Sequence, residues 1–349
     1  MEDIRDITVD ELKSFLVQTG EKPFRAKQVN EWLWKKGIGN FDEMTNISQE
    51  LRDKLSSAYT FHRAQIEMEA KSGDQTVKFG FRLHDDKMIE GVLIPAGQRV
   101  TACVSTQVGC AMHCAFCATG QMGFFRNLHY AEIFDQFMLM NQKAQEYYGN
   151  PISNIVYMGM GEPLLNMPNV LKSIDLLTSK EGQGLSPQRI TLSTAGIIEG
   201  IRKLADLGFK PGLAVSLHSA DPLTRLRIMP VTEHNPLNKL QEALKYYHQK
   251  TGERVTFEYL LLKDINDSLR DAEVLAAYCR AFPVKINLIE FNATDSPFQK
   301  SEPESVRKFI QFLESRNMVV NLRRSRGKDI AAACGQLIKK KSVPLQLQK

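Results

Sequence analysis

An α/β fold, a partial and open barrel of six β/α units, is predicted for this chain by three observations. Short β-branched runs alternate with amphipathic stretches from Thr101 onward. The alternation supplies six units, fewer than the eight of a closed barrel. The glycine-rich and polar segments fall where those strands end, the edge on which such folds collect their chemistry. Strands are expected near 101–106, 153–160, 189–194, 211–217, 254–262 and 284–291, and helices near 129–146, 168–179, 197–207, 236–250, 268–281 and 303–316. A last extended piece, Val319 to Arg324, leads towards Asp329-Ile-Ala-Ala-Ala-Cys334. A parallel sheet covered by helices follows from that rhythm.

The residues ahead of the barrel read differently. Thr8-Val-Asp-Glu11 is a capping-box pattern before Leu12, Phe15 and Leu16. A second helix is expected from Pro23 to Lys36, and Ser48 is placed to cap a third. From about Arg63 to Ile94 the period falls to two, the pattern of a small antiparallel sheet. The expected organisation is a helical domain over 1–60, a β segment over 61–95, the barrel over 96–328 and a C-terminal segment over 329–349.

Composition removes several function classes. With 43% hydrophobic and 24% charged residues, the 349-residue chain has the balance of a soluble globular protein. No apolar run approaches the roughly 18 residues of a membrane span, and the start, MEDIRDITVDELKSF, lacks the apolar region of a secretory signal. A cytoplasmic protein is expected. A net charge of +5 permits nucleic-acid binding without demanding it. Six cysteines are too few for a disulfide scaffold, and four of them crowd between Cys103 and Cys117, which points to metal or redox chemistry.

Cys110, Cys114 and Cys117 put three thiols in one loop after the first barrel strand. Zinc usually takes four protein ligands, whereas three thiolates suit a [4Fe–4S] cluster with one iron left open; His113, inside the loop, keeps a zinc site in play. The second strand ends in Gly159-Met-Gly161-Glu162-Pro163, the third in Ser193-Thr194, the fourth in Ser216-Leu217-His218 and the sixth at Asn292. By itself a strand-end serine commonly just caps the next helix, and Cys334 beside three alanines reads as a small core residue. Cys279, in a helix and in no motif, reads as packing.

CxxxCxxC with an aromatic residue before the last cysteine resembles the radical S-adenosylmethionine (SAM) signature, and Gly159 to Pro163 resembles that superfamily's SAM amino-group motif. Adding Cys103-Val-Ser-Thr-Gln-Val-Gly-Cys110, Met158 to Asn166, Ala333 to Leu337 and the Pro23-Phe-Arg-Ala-Lys-Gln helix, nearly the whole chain is similar to the RlmN/Cfr family of adenine methyltransferases. Within it, Pro163, Leu164 and Leu165 follow the branch that methylates adenine carbon 2 in 23S rRNA (adenosine 2503) and tRNA (adenosine 37). The resemblance implies a barrel of the radical SAM type behind a helix-hairpin-helix-like domain.

It also implies roles. Cys110, Cys114 and Cys117 would hold the cluster, whose open iron binds SAM. Gly161 and Glu162 would meet the SAM amino group, Ser193, Ser216, Leu217 and His218 its sugar and carboxylate side, and Asn292 its adenine. Glu290-Phe291 departs from the Pro-Trp or Pro-Tyr of many relatives, which bears on those adenine contacts. Carbon 2 of adenine has no lone pair with which to attack SAM, so the family uses a 5′-deoxyadenosyl radical. Cys334 would be the methyl carrier and Cys103 the thiol that resolves the enzyme–RNA adduct by forming a disulfide. Glu90, otherwise an exposed strand carboxylate, would be the base that removes the carbon 2 proton.

The implied partners are 23S rRNA, tRNA and an electron donor such as flavodoxin or ferredoxin, with the enzyme a monomer. Arg323, Arg324, Arg326 and Lys328 would hold phosphates beside the reacting base. Arg25, Lys27, Lys35 and Lys36 would either touch RNA or form a solvated face; Lys339 to Lys341 read as a polar tail. Two alternatives remain: a Cfr-type adenine-C8 methyltransferase, and a non-catalytic iron–sulfur or zinc protein that binds RNA.

Overall fold

The computed structural model of the chain describes residues 1–294 and 296–337, so Lys339 to Lys341 lie outside the described residues. One sheet of ten strands organises them. Its order is 319–323, 284–290, 255–261, 212–216, 190–194, 154–157, 99–103, 88–96, 77–82 and 65–71. The first seven are mutually parallel. The last three join them antiparallel. The six expected units and the closing extended piece are therefore present, and the sheet is open, with Val319–Arg323 at one edge and Gln65–Lys71 at the other. The antiparallel segment is continuous with the barrel rather than a separate sheet, because Met88–Ala96 pairs with Arg99–Cys103.

The N-terminal helices form as their caps dictate. Thr8 Oγ1 accepts from the Glu11 N–H, and the Glu11 carboxylate accepts in return from the Thr8 N–H, so the helix Val9–Gln18 begins with two orphan donors satisfied. Ser48 caps Gln49–Ala58 by accepting from the Leu51 N–H alone, without the reciprocal bond. The helix expected over 23–36 splits instead. Arg25–Glu31 is α-helical, and Trp32–Lys36 is a π turn ended by Gly37 at φ +62°. Trp32, Leu33 and Trp34 are all buried, and the wider turn turns three consecutive large side chains inward. Trp34 packs edge-on against Phe134 at 5.3 Å. Arg5 forks between Asp3 and Asp135, at 2.8 Å to each, which pins this domain to the barrel helix Tyr130–Tyr148.

Two short elements escape the periodicity. The strands Gln107–Gly109 and Phe124–Asn127 form a hairpin that brackets the three clustered cysteines. The helix Pro222–Ile228 follows the fourth barrel strand. Neither is long enough to show a hydrophobic repeat. Among the described residues no helix is long and apolar enough to cross a membrane.

The C-terminal segment is tied to the tip of the 65–82 hairpin. Asp329 accepts from the Ser72 hydroxyl at 2.5 Å and the Gly73 N–H at 3.1 Å, and Asp74 accepts from the Gly327 N–H at 3.1 Å. Gly327 sits at φ +63°, where a Cβ would come within 2.7 Å of the Ala332 methyl. Those contacts steer residues 331–337 back over the C-terminal ends of the strands.

Candidate active site

The glycines of Gly159 to Pro163 are set by close packing. A Cβ on Gly159 would lie 2.7 Å from the Val104 carbonyl oxygen, and one on Gly161, at φ +103°, 2.5 Å from Gln107 Cβ. The turn can therefore press against the loop entering the cysteine segment. Ser105 locks the contact: its hydroxyl donates to the Glu90 carbonyl at 2.6 Å and accepts from the Met160 N–H at 2.8 Å. The Glu162 N–H donates to Gln107 Oε1 at 2.8 Å. The cysteine loop is held on three sides: the Cys110 N–H donates to Gly123, the Ala115 N–H to Ile228 and the Ala118 N–H to Gly335.

These elements enclose a chamber of about 1010 Å³, partly open to solvent. It brings together Cys110, Cys114, Cys117, Gly161, Glu162, Ser193, Ser216, His218, Asn292 and Cys334, residues that span most of the sequence. All six cysteines are free thiols. Burial is the main influence on Cys110 and Cys114, pushing the first up to about 12 and the second well above the ordinary range, with neighbouring thiols adding to it. Such thiols become thiolates when a cationic centre takes the proton's place. His113 is exposed, at φ +50°, and is not on the chamber wall, so a three-cysteine, one-histidine zinc site is not built here. Among the described residues no three His, Cys, Asp or Glu side chains converge as a single-ion site, and a larger cluster suits the loop better.

The chamber wall also fits SAM. Asn292 is buried with both Oδ1 and Nδ2 lacking any protein partner. Such groups are costly unless a ligand satisfies them. Glu162 is buried too; one carboxylate oxygen accepts from the Leu164 N–H at 3.0 Å and the other from the Ala195 N–H at 2.6 Å. Burial raises its pKa and those amides oppose the rise. His218, at φ +55°, accepts from the Leu260 N–H through Nδ1 at 2.9 Å and meets Phe116 edge-on. Burial, then the charge of Arg225, lowers its pKa to about 3, so the ring is neutral with the proton on Nε2.

Cys334 is solvent-reachable within the chamber and Cys103 is buried. The two are close enough for the charge of one thiolate to act on the other, and Arg323 acts on both. Burial raises both pKa values, that of Cys103 to about 12, and the guanidinium opposes each rise. Cys279 is buried in the main core, as expected. Glu90 is buried rather than exposed and pairs with Lys78 Nζ at 3.2 Å.

Some sequence expectations need correction. Leu217 is wholly buried and off the chamber wall; it contributes only its carbonyl, which accepts from Arg225 Nε at 3.1 Å. The basic run before Cys334 is largely neutralised. Arg323 pairs with Glu258 at 3.1 Å inside the chamber, Arg326 with Asp74 at 3.9 Å and Lys328 with Glu290 at 3.7 Å. Glu290 also takes Lys300 at 3.0 Å, so the departure from Pro-Trp or Pro-Tyr makes an ion-pair centre at the chamber rim.

Three residues carried no sequence signal: Glu258, Lys78 and Arg225. Arg225 is wholly buried and donates to the carbonyls of Ala195, Ser216 and Leu217 and to Thr232 Oγ1. It joins the ends of two barrel strands beneath the cysteine loop, and its pKa, lowered by burial to about 10, leaves it cationic at neutral pH. Arg225→Met is expected to strand these acceptors and cost about 3 kcal/mol or more, read as a lower urea midpoint. An unchanged midpoint would contradict that role.

Comparison with known proteins agrees with this geometry. Residues 2–60 match the ribosomal RNA large subunit methyltransferase N-terminal domain, and residues 104–275 match the radical SAM superfamily. The chain is 49% identical over 335 residues to a Cytophaga hutchinsonii protein named "Probable dual-specificity RNA methyltransferase RlmN", covering 96% of this chain and 92% of that one. It is 44% identical to the dual-specificity RNA methyltransferase RlmN of Oleidesulfovibrio alaskensis, covering 97% and 96%. A crystal structure of a radical SAM methyltransferase from Sphaerobacter thermophilus superposes with a TM-score of 0.91 at 38% identity, covering 97% of this chain and 99% of that one. The chain therefore belongs to the RlmN family of radical SAM RNA methyltransferases, which work with a [4Fe–4S] cluster and SAM.

Proposed function

We propose that this protein methylates carbon 2 of an adenine in both 23S rRNA and tRNA, with Cys334 as the methyl carrier. The observation that carries the reading is a second pair of thiols, Cys334 and Cys103, present in addition to the three loop cysteines and sharing Arg323. A protein that merely held a cluster has no use for them. Cys110, Cys114 and Cys117 would hold the cluster, with Glu162, Ser193, Ser216, His218 and Asn292 around SAM. When bound, the cluster and SAM supply the methyl group and the one-electron chemistry that activates it.

The chain's own residues supply the rest. Arg323 favours the Cys334 thiolate, the form able to accept a methyl group. Once the activated methyl carbon has joined Cys334 to adenine carbon 2, the Glu90 carboxylate takes the carbon 2 proton, the adduct's odd electron would return to the one-electron couple that the cluster supplies, and the ring recovers its aromatic π system. Cys103, as thiolate, then attacks the Cys334 sulfur. The S–S bond forms, the C–S pair moves to carbon, and that carbon takes a proton to become the methyl group. An external dithiol reduces the disulfide.

The adenine must be unstacked to reach the chamber. Exposed Arg324, with Lys27, Lys35 and Lys36 on the N-terminal domain, would contact phosphates. A flavodoxin- or ferredoxin-type donor, a monomeric state and a cytoplasmic setting complete the reading. The test is anaerobic reconstitution with SAM, reductant and unmethylated ribosomal or transfer RNA, followed by mass spectrometry of the nucleosides. 2-Methyladenosine is expected from wild type and not from Cys110→Ala. 8-Methyladenosine would overturn the carbon assignment, and neither product from an intact cluster that cleaves SAM would overturn the substrate.

A further inference from the structure

The register of the antiparallel strands places Lys78 beside the chemistry. Lys78 lies opposite Val92, and Val92 opposite Cys103, while Glu90 lies opposite Gly80. Paired residues, and residues two apart on a strand, share a face. Lys78, Glu90 and Cys103 therefore project from the same side of the sheet. Gly80 leaves the position opposite Glu90 without a side chain, its space taken by Met68 and Met88, and Lys78 reaches Glu90 along the diagonal that joins neighbouring rows of a sheet.

Its contacts are specific. Lys78 Nζ lies 3.2 Å from Glu90 Oε1, with the two side chains only 5% and 8% exposed. The same ammonium donates to the carbonyl of Ala331 at 3.4 Å, three residues before Cys334. Glu90 is fixed from its backbone as well, by its N–H to Met160 Sδ and its carbonyl to Ser105. Cys103 lies on this face too, and so does Arg82, which pairs with Glu67 at 3.2 Å; Asp329, in the C-terminal segment, spends its carboxylate on Ser72 and Gly73.

A buried ion pair is a poor device for stability, since apolar residues of similar volume often do as well. It is a good device for fixing where a carboxylate points, because a charge-assisted hydrogen bond has a definite geometry. We infer that Lys78 is a positioning residue that holds the Glu90 carboxylate in place as the base and joins it to the loop carrying Cys334. This rests on the reading of Glu90 as the base. In the step itself the carbon 2–hydrogen bond breaks, the proton goes to a Glu90 oxygen and the bonding pair stays in the ring, while the odd electron that the methyl carbon brought leaves to the same one-electron couple that activated it. A Glu90 carboxylate turned away from carbon 2 could not take the proton.

The test compares Lys78→Met, Lys78→Arg and Glu90→Gln in the reconstituted full-length enzyme, following decay of the covalent enzyme–RNA adduct on denaturing gels. Lys78→Met is expected to resolve the adduct at least about tenfold more slowly than wild type. Lys78→Arg should stay within about threefold of wild type, because the charge is kept. A second readout needs no cluster: in metal-free protein the melting deficit of Lys78→Met should shrink when Glu90→Gln is added, as a double-mutant cycle would show. A Lys78→Arg enzyme as slow as Lys78→Met, with melting deficits that simply add, would make Lys78 mere packing and overturn the inference. If Glu90→Gln resolves the adduct at the wild-type rate, the base assignment falls instead, and this inference with it.

Discussion

Cys334→Ala protein is expected to take up a full cluster and to make no methyladenosine, a loss of at least roughly 10⁴-fold, as when an essential nucleophile is removed. The separation of effects follows from geometry. Cys334 stands on the C-terminal segment, a different part of the chain from the loop that carries Cys110, Cys114 and Cys117, and lines the same chamber. Removing one sulfur from that segment leaves the three loop thiols and their backbone anchors to Gly123 and Ile228 untouched. Iron content and the visible absorbance of the cluster check the first half, and transfer of labelled methyl from SAM to protein and to RNA checks the second. RNA methylation undiminished by the substitution would remove Cys334 from the mechanism.

Cys103→Ala is expected to fail at the opposite end of the cycle. Cys103 is buried and its thiol accepts from the Met158 backbone N–H, within reach of the field of Cys334 and Arg323. Without Cys103 the adduct forms but is not resolved, so multiple-turnover activity falls by about 10³-fold or more while protein–RNA adduct accumulates to nearly one per enzyme. Denaturing gels measure this directly. Free methylated RNA released at the wild-type rate would show that another group resolves the adduct.

Much of this was legible in the sequence because it is written locally. The barrel strands and helices carry their own periods, and the three loop cysteines, the Gly159 to Pro163 turn and the strand-end residues Ser193, Ser216, His218 and Asn292 meet in one chamber because parallel strands share one functional edge. What escaped was long-range. Lys78 meets Glu90, Arg323 meets Glu258, and Arg225 gathers carbonyls from two strands. A charged residue's partner has no periodicity, so the sequence shows the charge and hides whether it is spent inside. Arg323 reads as a phosphate ligand for that reason, although its guanidinium is committed to the chamber wall. Leu217 was carried along by its neighbours Ser216 and His218, yet just past the end of the strand its side chain is wholly buried in the core.

The most direct test of the central claim is to trap the adduct with Cys103→Ala enzyme, digest protein and RNA, and sequence the joined fragment by mass spectrometry. The account predicts a peptide from the Cys334 segment joined through the cysteine sulfur and one bridging carbon to carbon 2 of an adenine. Linkage through another residue would contradict Cys334 as the carrier, and linkage at carbon 8 would contradict the site of methylation.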